Sequence, residues 1–183
     1  MKHFKIAVLL LVFFVACFFY QINTALASPV QDELKITIDN ILEILRDPSF
    51  KGDEKKAERR ASLRSIIHKR FSFAKMSQLS LARHWKKRSD QEKKVFIKMF
   101  GQLLEDTYVS KIETYTDEKV IYVKEFIKKN KAMVYTKVVT QTIEIPIDYR
   151  LYKTKSENWM VYDLVIEGVS LVGNYRSQFD QML

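Results

Sequence analysis

The sequence predicts an α+β fold: an antiparallel sheet of about four strands from the C-terminal half, covered by N-terminal helices and a C-terminal helix. Two observations lead there. Apolar residues recur at three- and four-residue spacing from about residue 31 to about Tyr115, and from Val120 onward the period changes to two. The strand-length runs are separated only by short polar breaks, KKNK at 128–131, Thr140-Gln141 and KTKSEN at 153–158, so an antiparallel meander is the economical topology.

In chain order, Leu34, Ile38, Ile41, Leu42 and Leu45 form one stripe of an amphipathic helix over 31–46 that stops before Asp47-Pro48. GDEKKAERRASLRSIIHKRF (52–71) reads as a second helix with Ala57, Ala61, Ile66 and Ile67 on its inner side. FAKMSQLSLARHW (73–85) reads as a third. Ser89-Asp90-Gln91-Glu92 is a capping-box pattern, in which serine and glutamate satisfy each other's backbone donors. It opens a long helix bearing Phe96, Met99, Phe100, Leu103, Leu104, Tyr108 and Ile112 on one face. Gly101 interrupts that face at a cost of about 1 kcal/mol relative to alanine, which predicts close approach of another backbone.

The strands are Val120–Ile127, Ala132–Thr140, Ile143–Tyr152 and Trp159–Glu167. In the third, Ile143, Ile145, Ile147, Tyr149 and Leu151 alternate with polar neighbours, so one face is buried and one is wet. Pro146 cannot donate to a ladder and predicts an edge strand or a bulge. Ser170 caps a last helix carrying Leu171, Val172, Tyr175, Phe179 and Met182.

Residues 1–27 read as a cleavable secretory signal: Lys2 and Lys5, an apolar run from Ile6 to Tyr20, then Ala25-Leu26-Ala27 before the cut. Residues 28–183 then form a single exported domain. Cys17 belongs to the signal, so the mature chain holds no disulfide and stands on packing alone. The formal charge of +9 is well mixed with acids. Aromatics at core spacing, rather than interleaved with arginine on an exposed face, argue against nucleic acid.

Catalytic patterns are missing. His68 and His84 lack metal-ligand spacing, and no glycine-rich phosphate loop occurs. Asp163 and Glu167, four residues apart on one side of a strand, would stand roughly 13 Å apart, too far for a hydrolytic pair. Pairing with a base across the sheet suits them better. The distinctive feature is patterned apolar surface, which points to binding rather than to an enzyme.

Three stretches carry a family likeness: NWMVYDLVIEGVSLVGNYRSQF (158–179), SDQEKKVFIKMFGQLLEDTYVSKIETY (89–115) and Phe71-Ser72-Phe73 before LARHW. Together they resemble the MlaC family of periplasmic phospholipid-binding proteins, also called the toluene-tolerance family. The most specific element is Trp159, Tyr162-Asp163, Glu167-Gly168-Val169-Ser170 and Asn174-Tyr175-Arg176. Ser72 stands where such proteins often place an acid, Ala82 stands where glycine is usual, and many relatives continue beyond Leu183.

The resemblance implies a monomeric periplasmic carrier of phospholipid that maintains outer-membrane lipid asymmetry. Its partners would be an outer-membrane lipoprotein complex and an inner-membrane ABC transporter complex with an MCE-domain protein. It implies no cofactor, only phospholipid as cargo, with the acyl chains in an apolar pocket between sheet and helices. The matching lipid-binding positions are Phe100, Leu103, Leu104 and Tyr108 on the long helix and Ile145, Ile147 and Tyr149 on the third strand. Leu164, Ile166, Val169, Leu171 and Val172 join them from the last strand and helix. Competing readings are another lipid, such as a hopanoid, or a periplasmic protein-binding or chaperone module.

Overall fold

The structure, a computed structural model, describes residues 29–114 and 118–183; the expected leader at 1–27 lies outside them. Among the described residues the helices are α1 (Pro29–Arg46), α2 (Lys56–Arg70), α3 (Phe73–Leu81), α4 (Asp90–Ile112) and α5 (Leu171–Met182). Between α4 and α5 lie β1 (Lys119–Lys128), β2 (Lys131–Val139), β3 (Glu144–Lys153), β4 (Trp159–Ile166) and the two-residue β5 (Val169–Ser170). The strands pair in sequence order, each antiparallel to the last. The α+β architecture is as the pattern predicts, with a fifth strand where the last run doubles back at Glu167 and Gly168. Both take positive φ, 50° and 82°, the geometry of a two-residue hairpin.

Cross-strand register turns the period-two alternation into rows on one face. From the end at the β1–β2 and β3–β4 turns these are Ala132, Leu151 and Val161; Val134, Tyr149 and Leu164; Thr136, Ile147 and Ile166; and Val120, Val138 and Ile145. A bulge makes the rows possible. Arg150 opposes Asp163 while Leu151 opposes Val161, so Tyr162 is an extra residue in β4. Without it, Asp163 rather than Leu164 would face inward.

Pro146 sits on an interior strand, between β2 and β4, rather than on an edge. Its carbonyl accepts from Glu167 N at 3.0 Å, so its nitrogen faces the same side. That side lies just beyond the last β3–β4 pair, Ile147 with Ile166, where no ladder donor is required.

α1 covers the end of the sheet at the β1–β2 and β3–β4 turns: Val30, Leu34 and Ile38 are buried against Ala132, Leu151, Trp159 and Val161. α3, α4 and α5 share a second cluster of Met76, Phe100, Leu104, Leu171 and Val172. Edge-to-face ring pairs tie α4 to α5, Phe96 with Phe179 at 5.4 Å and Phe100 with Tyr175 at 5.1 Å. The capping box of α4 forms as expected, with Ser89 N donating to Glu92 Oε2 and Glu92 N to Ser89 Oγ. Gly101 is buried, but what approaches it is the ring of Phe73, 3.4 Å from where a Cβ would stand, not a second backbone.

α2 packs differently from the sequence reading. Ala57 and Ala61 are exposed, and Leu63 and Ile67 are the buried pair, packed with Val109 of α4. The first turns of α2 reach α4 through ions instead. Glu113, just past α4, accepts from Arg59 Nε at 3.0 Å and from Arg60 Nη2 at 2.8 Å. Burial pushes its carboxyl up, but hydrogen bonds and charge from Arg60 and Arg59 outweigh that and hold it below its ordinary 4.5. A depressed folded pKa contributes stability that is present above the ordinary value and lost as pH falls through the folded one. Glu113→Gln should therefore cost about 2 kcal/mol at neutral pH. In thermal melts it should also lose less than the parent on acidification below about pH 4.5.

The expected third helix is broken in two. α3 ends at Leu81, and Ala82–Lys87 continues as a 3-10 segment because Ala82 takes φ 44°, ψ −114°, a region left almost entirely to glycine. This is the position where the family likeness puts glycine. Ala82→Gly should raise stability by roughly 1 kcal/mol, seen as about 2–4 °C in Tm.

Candidate functional site

At the end of the sheet away from the β1–β2 and β3–β4 turns the helices do not fill the inner face. A cavity of about 450 Å³ remains there, within the roughly 300–1,000 Å³ of ligand sites. Its floor is the sheet rows: Val120, Val138, Ile145, Ile147, Tyr149, Leu164 and Ile166. α1 supplies Ile38, Ile41, Leu42 and Leu45, and the α2–α3 region supplies Ile67, Phe71, Phe73 and Met76. α4 adds Leu104, Tyr108, Val109 and Ile112; Val169 and Leu171 close the side toward α5. The wall is thus hydrocarbon and aromatic over most of its extent.

Its polar members are Thr37, Glu105, Lys111, Glu118, Glu167 and Asn174. Glu105 is buried yet satisfied, with one oxygen held by Arg64 Nε and the other 2.5 Å from His68 Nε2. Lys111, Glu167, Val169 and Asn174 are exposed, so they mark the rim. The Lys111 ammonium lies over the Tyr108 ring at 5.6 Å. Burial of that ring, followed by the influence of Tyr175, pushes the Tyr108 phenol up. Glu118 lends its backbone carbonyl to Arg46 Nη2 at 2.8 Å. Its Oε2 is buried without a hydrogen-bond partner among the described residues, an unmet acceptor in an apolar wall.

Asp163 fixes the roof. Turned to the opposite face by the bulge, its Oδ1 accepts from Val172 N at 2.9 Å. Its Oδ2 accepts from Ser170 Oγ at 2.7 Å and from Arg150 Nη1 at 2.9 Å. Ser170 Oγ in turn accepts from Gly173 N, the cap the sequence predicts. These bonds set where α5 starts, and with it Leu171 and Asn174. Arg150 is the cross-strand base expected for Asp163. Glu167 does not share a side with it, since β4 ends at Ile166 and Glu167 lies in the turn at the cavity rim.

Nine of the twelve positions singled out in the sequence stand in the cavity wall: Leu104, Tyr108, Ile145, Ile147, Tyr149, Leu164, Ile166, Val169 and Leu171. Three do not. Phe100 and Val172 are buried in the helix cluster, and Leu103 is 43% exposed. On α4 the inward residues are 104, 105, 108, 109 and 112, and a step of one residue rotates a side chain by about 100°, carrying Leu103 out of the wall. Sequence reasoning missed the contribution of α1. Its stripe was visible, but the same spacing serves a packed core, as it does at Leu34.

Both described histidines have structural partners: His68 with Glu105, and the buried His84 with Asp180 Oδ1 at 3.0 Å. Among the described residues no cluster of three His, Cys, Asp or Glu could hold a metal.

The family model described as MlaC protein matches residues 35–183. No curated protein matches the chain. Among solved structures, the phospholipid-binding protein from Ralstonia solanacearum, determined in complex with a phospholipid, resembles this chain with a TM-score of 0.75 at 23% identity. The match covers 84% of this chain and 87% of that one. At such identity the likeness speaks to the fold.

Proposed function

The chain belongs to the MlaC family, and on that premise we propose that it binds phospholipid with its acyl chains in the cavity and carries it through the periplasm between the outer and inner membranes. The observation that carries this reading is the 450 Å³ cavity itself, apolar over most of its wall and open at a polar rim. Hydrocarbon demands such a wall. Each methylene is worth about 0.8 kcal/mol, so exposing a 16-carbon chain to water costs on the order of 12 kcal/mol. Surface charge contributes only about 1 kcal/mol per lysine near an anionic membrane and cannot replace that cover.

In this reading the rim meets the head group. Lys111 faces the phosphate, and Glu118 Oε2, which has no hydrogen-bond partner among the described residues, takes a donor from the head group. Delivery would be to an inner-membrane ABC transporter complex bearing an MCE-domain protein, and loading from an outer-membrane lipoprotein complex. The role in outer-membrane lipid asymmetry follows from that traffic, and the chain acts as a carrier rather than an enzyme. Vesicle-to-vesicle transfer tests it: labelled phospholipid should move from donor to acceptor vesicles at a rate proportional to protein added. A rate no different from the protein-free control would overturn the carrier role.

A further inference from the structure

The two basic turns, KKNK at 128–131 and KTK at 153–155, form one surface. Lys153 N donates to Asn130 O at 2.9 Å, Lys128 opposes Lys131, and Lys131 opposes Tyr152. The β1–β2 and β3–β4 hairpin tips are therefore side by side. Together residues 128–131 and 153–157 hold five lysines and one glutamate, and that glutamate, Glu157, is paired with Lys153. Beside the lysines, at the end of edge strand β1, Phe126 is 61% exposed and Ile127 43% exposed. This pole lies at the far end of the sheet from the cavity rim, where Glu167 and Val169 follow the last residue of β4.

We propose that this pole is a docking surface for an anionic lipid bilayer, one that leaves the cavity mouth pointing away from the membrane it rests on. Flexible lysines suit a field of diffuse negative head groups, and each such lysine near the surface is worth about a factor of five in partitioning. An acidic protein patch could also attract the lysines. The exposed Phe126 and Ile127 favour the bilayer, because apolar side chains at the edge of a basic cluster enter the boundary between head groups and acyl chains. The attraction is screened over about 8 Å at physiological salt, so docking is reversible. Such docking would hold the carrier at a membrane while its mouth meets a partner.

Flotation with phosphatidylcholine vesicles, with and without phosphatidylglycerol, tests this on the intact protein. The parent should float with the phosphatidylglycerol vesicles at low salt, lose most of that binding as salt rises, and ignore pure phosphatidylcholine. Substituting Lys128, Lys129, Lys131 and Lys155 by Gln should cut binding by a hundredfold or more, and Phe126→Ser by several-fold. A charge-matched control with Lys86, Lys87, Lys94 and Lys98 changed to Gln should keep at least a tenth of parental binding. Equal loss in both quadruple variants would reduce the effect to net charge and overturn the proposal. Failure of the parent to float would assign the patch to another kind of partner and overturn it equally. Phospholipid bound to the same protein before vesicles are added separates this outcome from failure of the carrier reading.

Discussion

Asp163→Ala is expected to destabilise the protein by about 3–5 kcal/mol, on the order of 10 °C in Tm, and to lower its capacity for phospholipid in the fraction that stays folded. The side chain is almost fully buried, at 2% exposure, and accepts from a backbone amide, a hydroxyl and a guanidinium at once. Removing it strands the Val172 amide at the start of α5 and frees the helix that holds Leu171 in the cavity wall. Arg150, 37% exposed, can turn to water, so lost helix anchoring rather than an orphaned cation accounts for most of the cost. Asp163→Asn keeps one acceptor and should cost about half as much. Melting curves together with lipid content check both effects; an alanine variant melting within 2 °C of the parent would show that α5 is held by its apolar face alone.

Ile147→Trp should have the largest effect on cargo with little effect on folding. Ile147 lies at the centre of the cavity floor, in the row between Thr136 and Ile166. An indole there takes up space that acyl chains would use. Overpacking normally costs 1–3 kcal/mol, but here the added ring enters open volume, so stability should change by less than about 1 kcal/mol. Bound phospholipid should fall at least tenfold. Leu103→Trp, on the exposed side of α4, adds the same volume outside the cavity and should leave lipid content unchanged.

The fold was largely legible because two periods in the chain differ so clearly. The stripe in α1, the Ser89–Glu92 box, the alternation of β3 and the Ser170 cap each have a local physical cause, and each appears where the pattern puts it. What the pattern could not carry was anything decided by the partner surface. Pro146 looks like an edge residue in isolation, yet an interior strand tolerates it because its nitrogen falls past the end of β4. The Tyr162 bulge is invisible in the alternation, and it alone decides that Asp163 leaves the inner face while Leu164 joins it. On α4, Phe100 and Leu104 have the same spacing and hydrophobicity. One meets Tyr175 and Phe179, the other reaches the cavity, and only the packing of α5 distinguishes them. The wall from α1 escaped notice for the same reason, since Ile41 and Leu45 follow the stripe of Leu34 and Ile38 and differ only in what lies opposite.

Native mass spectrometry of the protein as purified from a bacterial host reads out directly whether the cavity holds phospholipid. A species heavier than the bare chain by the mass of phospholipid is expected, and it should be lost in Ile147→Trp but not in Leu103→Trp. A parent protein that shows only the mass of the bare chain, and still does so after incubation with phospholipid vesicles, would contradict it.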